Sequence, residues 1–275
     1  MTHFGYTAMG EQVPAKQLVT DLVAAELAGF DFSVMSDHFS PWIEEQGHSP
    51  NAWVVLGAAA QATQALPLMT FVTCPTFRYH PVVVAQQAAT LGVLSSGRFT
   101  LGLGAGENLN EHVIGGGWPM GRVRQERLAE AVEIIRSLFT GDYVNFSGQH
   151  FQVERARLYD LPDSPPPVGI AASGPSSVKL AGARPRAVAV GRPGWHVMAE
   201  LPDPRAFDAA SGTVREEDVT ALVPCGPDVG SYVKAAREWI DAGFTHLALV
   251  QVGAGSQQDF IAWAAAELLP ALREL

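Results

Sequence analysis

Short apolar segments alternate with stretches of helical periodicity along this chain, and that alternation restricts the fold more than any other feature. Strands are predicted at residues 3–9, 32–35, 68–72, 98–103, 168–172 and 247–250. Helices are predicted at residues 14–29, 51–64, from 80 onward, 122–139, 231–242 and 260–272. Apolar strands that alternate with amphipathic helices form a parallel sheet covered on both faces. The chain therefore folds as a doubly wound sheet or as a (β/α)8 barrel.

Polar and glycine-rich residues follow several of the predicted strands. They lie at residues 11–12, 37–38, 73–76, 104–110 and 173–174. In a TIM barrel the carboxyl ends of all strands form one mouth, where active sites lie. A doubly wound sheet would gather such residues at a single switch point instead. Their spread over many strand ends favours the TIM-type barrel.

The region after residue 172 has too few strand candidates for a closed barrel. Between the predicted strands at 168–172 and 247–250, only residues 186–190 have strand character. Open edges of strands that are apolar on both faces are costly and prone to aggregation. We therefore predict a TIM (β/α)8-type barrel that is shortened in the region of strands six and seven. Residues 187–190 are predicted as a replacement strand, with a partner subunit over the opening as the alternative.

One domain is expected over residues 1–275, since a chain of this length that is 47% hydrophobic can bury a full core. Residues 143–167 interrupt the alternation with a hairpin pattern and a proline-rich turn. We interpret this segment as an excursion from the barrel, because it is too short to form a second domain.

Charge and cysteine content exclude several kinds of partner. The formal net charge is −10 and no basic run occurs, so neither nucleic acid nor an anionic membrane surface is an expected partner. No stretch approaches the roughly 18 apolar residues of a membrane span, and residues 1–5 lack the features of a signal peptide. The two cysteines have no metal-binding spacing and no disulfide framework. We expect a cytoplasmic protein without a metal site.

The second predicted strand ends in the segment SDHFSPW, residues 36–42. Ordinary turn residues would be enough to end a strand that only packs. His38 is either a well-satisfied core histidine or a proton-transferring group, since its ring titrates near neutral pH. In the second case Asp37 could orient the ring, and Trp42 could form an apolar wall that excludes water.

The fourth predicted strand runs into a glycine-rich segment, LGLGAGENLNE, at residues 101–111. Its spacing is G-x-G-x-G, which differs from the dinucleotide-binding pattern G-x-G-x-x-G. Glycines at the end of a barrel strand instead allow a flat ligand to approach the backbone. Glu107 is then either a carboxyl group directed into the barrel mouth or a solvated loop residue.

Two other strand ends have ordinary interpretations as well. In residues 71–81 the chain leaves a strand through small residues, and Arg78 is expected at the surface. In residues 171–179 a strand, a glycine turn and a helix start provide free N–H groups. These groups either seat an anion or form a plain helix N-cap.

Four ordered motifs resemble those of the luciferase-like monooxygenase superfamily, and more narrowly those of the deazaflavin-dependent dehydrogenases typified by F420-dependent glucose-6-phosphate dehydrogenase. The motifs are AMGEQ at 8–12, SDHFSPW at 36–42, PTFRY at 75–79 and GAGENLNE at 104–111. The resemblance covers residues 3–182 almost continuously and resumes at 193. It implies a TIM barrel that binds coenzyme F420 at its mouth, usually as a homodimer.

The resemblance also implies catalytic roles. His38 would take the proton of a substrate hydroxyl, with a pKa near the working pH, while a hydride passes to C5 of the deazaflavin. Glu107 would supply a proton to the deazaflavin ring. Trp42 and Glu11 would shape and polarise the pocket.

Cofactor contacts are implied in the same way. The residues are Asp37, Phe71, Val72, Asn110, Ala171, Ala172, Ser173 and Gly174. The peptide bond between the second and third of these residues would be cis and lie against the ring. The last four would meet the phosphate-bearing tail.

The resembled enzymes have a longer segment where this chain has only residues 183–193, which indicates a deletion there. The sugar-phosphate anchors of those enzymes lie in the missing part, which argues against glucose 6-phosphate as the substrate. The resemblance thus predicts an F420-dependent oxidoreductase acting on an alcohol or its carbonyl counterpart. The alternatives are an FMN-dependent monooxygenase of the same superfamily and a catalytically silent flavin-binding protein.

Overall fold

The computed structural model describes residues 1–172, 187–189, 198–220, 222–253 and 255–275, with the backbone alone described at 187–189. The strands are β1 (His3–Ala8), β2 (Phe32–Met35), β3 (Leu68–Thr70), β4 (Phe99–Leu103), β5 (Val144–Ser147), β6 (Gln152–Ala156), β7 (Val168–Ala172), β8 (Ala187–Ala189) and β9 (His246–Leu249). The helices are α1 (Ala15–Leu27), α2 (Ala52–Ala62), α3 (Pro81–Leu94), α4 (Asn108–Glu111), α5 (Gly121–Leu138), α6 (Pro204–Ser211), α7 (Glu216–Thr220), α8 (Val229–Asp241), α9 (Gln257–Trp263) and α10 (Leu269–Leu272). Short 3₁₀ turns cover Glu44–Gln46 and His112–Ile114, and a π-helical turn, Ala264–Leu268, joins α9 to α10.

Seven parallel strands form one sheet in the order β8-β7-β4-β3-β2-β1-β9. The register places Ala8 beside Met35 and Met35 beside Thr70, so β1, β2 and β3 end at the same level. β8 and β9 lie at the two edges, and the described strands do not close an eight-stranded barrel. The prediction of a shortened TIM-type barrel is confirmed.

The segment predicted as a replacement strand is β8. It pairs in parallel with β7, with Val188 beside Ala171. Val190, the last residue of the predicted strand, lies outside the described residues. The sheet therefore extends one strand beyond β7, at the edge where strands six and seven of a full barrel would follow.

β3 and β4 approach each other closely because Gly102 has no side chain. A Cβ at Gly102 would lie 2.0 Å from the carbonyl oxygen of Thr70. The Thr70 hydroxyl donates to the Gly102 carbonyl and accepts from the Gly102 N–H, both at 3.0 Å. This connection holds the end of β4, and thus the glycine-rich segment after it, against β3.

Helices α1, α2, α3 and α5 bury their apolar faces in the hydrophobic core, where Leu22 and Leu56 are fully enclosed. As predicted, Asn51 begins α2, and its side-chain oxygen accepts from the Val54 N–H at 3.1 Å. Such a cap satisfies one of the four free N–H groups at a helix start. None of the described helices is long and apolar enough to cross a membrane.

The segment predicted as an excursion contains the antiparallel hairpin β5–β6. Glu130 on α5 holds the turn of this hairpin. Its carboxylate accepts from the backbone N–H groups of Gln149, His150 and Phe151 at 2.8 to 3.1 Å. The hairpin is therefore attached to a helix and forms a separate two-stranded sheet.

The elements between residues 198 and 249 are much less buried than those that form the core, which α9 and α10 rejoin through Phe260, Ile261 and Leu269. Among the described residues, the buried side chain of α6 is Phe207, that of α8 is Ala236, and α7 has none. β9 has no buried residue along its length. This part of the chain thus adds to the barrel without adding much to its core.

Candidate active site

Three acid and base side chains meet at the carboxyl ends of β1, β2 and β4. Glu11 follows β1, His38 follows β2 and Glu107 follows β4. The Nδ1 atom of His38 lies 2.5 Å from Glu11 Oε1, and its Nε2 atom lies 3.1 Å from Glu107 Oε1. The sheet thus brings three predicted catalytic residues together, with one imidazole ring between two carboxylates.

This arrangement keeps a proton on the His38 ring. Burial favours the neutral ring, but the charge of Glu11 and the contact with Glu107 outweigh burial and raise the pKa of His38 to about 10. The N–H at Nδ1 lacks hydrogen-bond geometry toward Glu11, so Glu11 acts mainly through its charge. Burial in turn favours the neutral form of Glu11, yet the charge of His38 lowers the pKa of that carboxyl. This raised pKa differs from the predicted pKa near the working pH and favours the charged ring.

Asn110 connects the loop that carries His38 to Glu107. Its side-chain oxygen accepts from the backbone N–H groups of Phe39 at 2.7 Å and Ser40 at 3.1 Å. Its Nδ2 atom donates to Glu107 Oε1 at 3.1 Å. The other carboxylate oxygen, Oε2, is buried without a hydrogen-bond partner among the described residues. Buried polar atoms are normally hydrogen-bonded, so Oε2 can accept a hydrogen bond from a bound group.

Predicted cofactor-binding residues gather around Gly104 at the end of β4. A Cβ at Gly104 would lie 2.6 Å from Val72 Cγ2 and 3.8 Å from the Ala171 Cβ. The peptide bond between Phe71 and Val72 is cis, as the resemblance implied. Of the remaining predicted contacts at residues 172–174, the first is buried at the end of β7 and the other two lie outside the described residues.

Trp42 packs its edge against His38, with ring centroids 5.0 Å apart at 81°. It also meets Phe207 of α6, with centroids 5.0 Å apart at 74°. Its backbone N–H donates to Gln46 Oε1 at 2.8 Å, which holds the loop. Trp42 and Phe207 thus form an aromatic wall beside the protonated ring. No sequence feature pointed to Phe207, which lies far along the chain on a short helix.

Asp37 is buried next to the site, but its carboxylate bonds to groups other than His38. Its Oδ2 atom accepts from the Thr73 hydroxyl at 2.8 Å, and its Oδ1 atom lies 3.2 Å from Arg78 Nη2. The idea that Asp37 orients the His38 ring is therefore wrong, and Glu11 contacts Nδ1 instead. A cofactor contact by Asp37 stays a prediction.

Arg78 is enclosed, in contrast to its predicted place at the surface. Its side chain is 9% exposed and lies between Asp37 and Glu111, at 3.2 and 3.6 Å. Burial is the main cause that raises the pKa of Glu111 to about 7, against the opposing hydrogen bond and charge of Arg78. Arg78 belongs to the motif PTFRY and Glu111 to the motif GAGENLNE. Membership in these motifs was the only sequence feature that could have indicated their place in the site. In the described residues no group of three or more His, Cys, Asp or Glu side chains is arranged to hold a metal ion.

A match over almost the whole chain decides the family. The model of luciferase-like monooxygenases matches residues 1–266. The chain belongs to the luciferase-like monooxygenase family. The family predicted from the four motifs is thereby confirmed.

Sequence relatives within the family carry F420-dependent activities in their names. The F420-dependent glucose-6-phosphate dehydrogenase of Beutenbergia cavernae is 47% identical over 182 residues, which are 66% of this chain and 54% of that protein. The F420-dependent hydroxymycolic acid dehydrogenase of Mycobacterium tuberculosis is 43% identical over 178 residues, which are 65% of this chain and 49% of that protein. The chain thus spans about half the length of the curated relatives it matches.

Solved structures resemble the whole chain. An F420-dependent secondary alcohol dehydrogenase in complex with an F420–acetone adduct has a TM-score of 0.88 and 27% identity, with 99% of both chains covered. A coenzyme F420-dependent tetrahydromethanopterin reductase from Methanopyrus kandleri has a TM-score of 0.75 and 17% identity, with 98% of this chain and 99% of that chain covered. At this lower identity the likeness shows the fold alone.

Proposed function

We propose that this luciferase-like protein is an F420-dependent oxidoreductase that transfers a hydride between an alcohol or its carbonyl counterpart and C5 of the deazaflavin. The observation that carries the proposal is the His38 ring held between Glu11 and Glu107 at the barrel mouth. When a hydride leaves the carbinol carbon, the hydroxyl proton must leave as well, and a positioned side chain has to accept it. The relatives named for F420-dependent dehydrogenation support this choice of cofactor.

The side chains at the mouth fit a flat ring that gains or loses a hydride and a proton. Glu107 has a buried oxygen without a partner among the described residues, and Gly104 leaves the end of β4 without a side chain. Coenzyme F420 would supply the carbon that exchanges the hydride. We assign Asp37, Phe71–Val72 and residues 171–174 to its binding, with Asn110 acting through Glu107.

His38 is the group that exchanges a proton with the substrate oxygen. Because the ring is protonated at neutral pH, it is ready to donate a proton to the oxygen of a carbonyl substrate. For alcohol oxidation the ring must first pass a proton to a carboxylate. Glu107, whose Oε1 atom lies 3.1 Å from Nε2, is placed to receive it.

Cofactor choice is tested by titrating the purified protein with F420 and with FMN and following the fluorescence of each ring. We expect F420 to bind at least tenfold more tightly, which corresponds to about 1.4 kcal/mol. Equal or reversed affinities would contradict the proposal and favour an FMN-dependent monooxygenase. Tight F420 binding without turnover of any alcohol or carbonyl compound would favour a catalytically silent binding protein.

We also propose that the protein works in the cytoplasm as a homodimer. Both cysteines, Cys74 and Cys225, are free, which fits a reducing compartment. β8 and β9 end the described sheet, and a second subunit could cover such edges. Light scattering after size-exclusion chromatography measures the mass directly, and a mass equal to one chain would contradict the dimer.

A further inference from the structure

Phe207 is buried although the helix that carries it, α6, is otherwise exposed or half-buried. It is 8% exposed, and the described side chains of α6 include no other buried residue. The helix begins at Asp203, whose side chain caps it by accepting from the Ala206 N–H at 2.9 Å. Apolar side chains are normally buried among others of their own element's core face. Phe207 is instead buried against Trp42, beside the proposed catalytic groups.

The aromatic wall continues directly from the ring that carries the proton. His38 meets Trp42 at 81°, and Trp42 meets Phe207 at 74°, each pair with centroids 5.0 Å apart. A substrate whose oxygen reaches His38 must place part of its carbon skeleton next to these rings. An apolar substituent is stabilised there by about 0.8 kcal/mol for each CH₂ group removed from water.

The charged groups near the wall do not favour an anionic substrate. Two carboxylates, Glu11 and Glu107, flank the one positive ring of His38, which leaves an excess of negative charge. Arg78 is already enclosed by two buried carboxylates at 3.2 and 3.6 Å. Arg205 on α6 pairs with an exposed glutamate at 3.2 Å and is itself exposed. Arg124, close to the Glu107 segment, pairs with Glu200 at 2.9 Å, so these three arginines are all engaged by carboxylates.

We propose that Phe207, together with Trp42, forms the subsite for one substituent of the carbinol carbon and limits the length of that substituent. The substrates are neutral alcohols or carbonyl compounds in which this substituent is a short alkyl group. This assignment rests on the proposed function and names the substrate class of the same site. Phe207 is thus a specificity-determining residue supplied by the sparsely packed part of the chain.

The assignment is tested with F420-loaded wild-type protein and the variants Phe207→Ala and Phe207→Leu. The substrates are unbranched 2-alkanols from 2-propanol to 2-octanol, with glucose 6-phosphate as the charged comparison. We expect Phe207→Ala to raise the ratio of kcat/KM for 2-octanol over 2-propanol at least tenfold, because a few methylene groups in an apolar pocket discriminate by that order. Phe207→Leu should shift the ratio in the same direction by less.

A second readout does not depend on turnover. The rise in unfolding temperature caused by 2-octanol should be larger for Phe207→Ala than for the wild type, since the enlarged subsite binds the longer chain. Arg205→Ala is the matched control on the same helix, because its exposed ion pair lies outside the subsite. We expect this control to leave both the ratio and the temperature shift unchanged.

The possible results separate the substrate assignment from the proposed function. If the wild type turns over 2-alkanols but neither Phe207 variant changes the ratio, the assignment of Phe207 is overturned. Faster turnover of glucose 6-phosphate than of any 2-alkanol would overturn the neutral substrate class. If the protein does not bind F420, the proposed function fails. In that case the unfolding temperatures still test the subsite. Equal temperature shifts on addition of 2-octanol in the wild type and in Phe207→Ala would overturn the assignment of Phe207.

Discussion

The strand ends that carry the acid and base groups and the helix that carries Phe207 meet at the same site, but they are supported very differently. Behind the strand ends lies the core, in which Leu22, Leu56 and Leu101 are fully buried. Behind Phe207 lies a helix with no other buried side chain among the described residues. Proton-transferring groups must be held within about 0.5 Å of their working geometry, whereas an apolar contact tolerates displacement. On the proposed function, the chemistry lies in the firmly packed region and the contact that selects the substrate lies in the loosely packed one.

The largest expected effect is on turnover and lies in the packed region. His38→Gln removes the proton-carrying ring, so kcat should fall at least 100-fold, while the Kd for F420 stays within about twofold. Steady-state kinetics and fluorescence titration measure the two quantities. Lys234→Ala, an exposed position on α8, serves as the control and should change neither. Full turnover by His38→Gln would show that the ring is structural.

The next effect is a loss of stability at high pH. The folded-state pKa of His38 is about 10, above the ordinary value of 6.5, so the charged ring stabilises the fold fully below about pH 6.5. That stabilisation is lost as the pH rises toward 10. We expect the free energy of unfolding in urea to fall by on the order of 3 kcal/mol between pH 7 and 10. In His38→Gln the slope should be much shallower, and parallel curves for the two proteins would refute the assignment.

A smaller loss of stability is expected when a buried carboxylate is removed, and none when an exposed one is removed. Asp37→Asn leaves the enclosed Arg78 with one charged partner fewer, so the free energy of unfolding should drop by about 2 kcal/mol. Asp218→Asn removes an ion pair of 2.8 Å with Arg215 at the exposed start of α7 and should cause no measurable change. Urea unfolding of both variants measures the two free energies. Equal decreases in Asp37→Asn and Asp218→Asn would contradict this prediction.

The smallest expected effect is that of Arg205→Ala. The residue is 84% exposed and pairs at 3.2 Å with Glu44, which is 67% exposed. Such pairs contribute little, so the free energy of unfolding should change by less than about 0.5 kcal/mol. A drop of 2 kcal/mol or more in thermal or urea unfolding would mean that this pair, and not Phe207, attaches α6 to the site.

Much of the fold could be predicted because it depends on local patterns. The predicted bounds of β2 and β7 are those of the structure, and α5 was placed within one residue at each end. The replacement strand was found because an apolar run of β-branched and small residues stands alone between two predicted strands. Short helices such as α4, α6 and α7 were missed, since four to eight residues carry too little periodicity to be recognised.

The contacts between side chains within the site could not be predicted as well. Asp37 stands next to His38 in the chain, yet adjacent residues of an extended segment point in different directions, and the carboxylate of Asp37 bonds to Arg78. The enclosure of Arg78 depends on carboxylates from two other loops. No local pattern encodes such contacts, because they arise only when separate strand ends come together.

The sequence by itself determined that Glu11, His38 and Glu107 share one end of the barrel. It could do so because parallel strands joined by helices all end on the same side. The tertiary structure alone decided that the His38 ring lies between the two carboxylates, since only the register of β1, β2 and β4 sets those distances. The two carboxylates then raise the pKa of the ring in spite of its burial, because opposite charges at these distances favour the charged form.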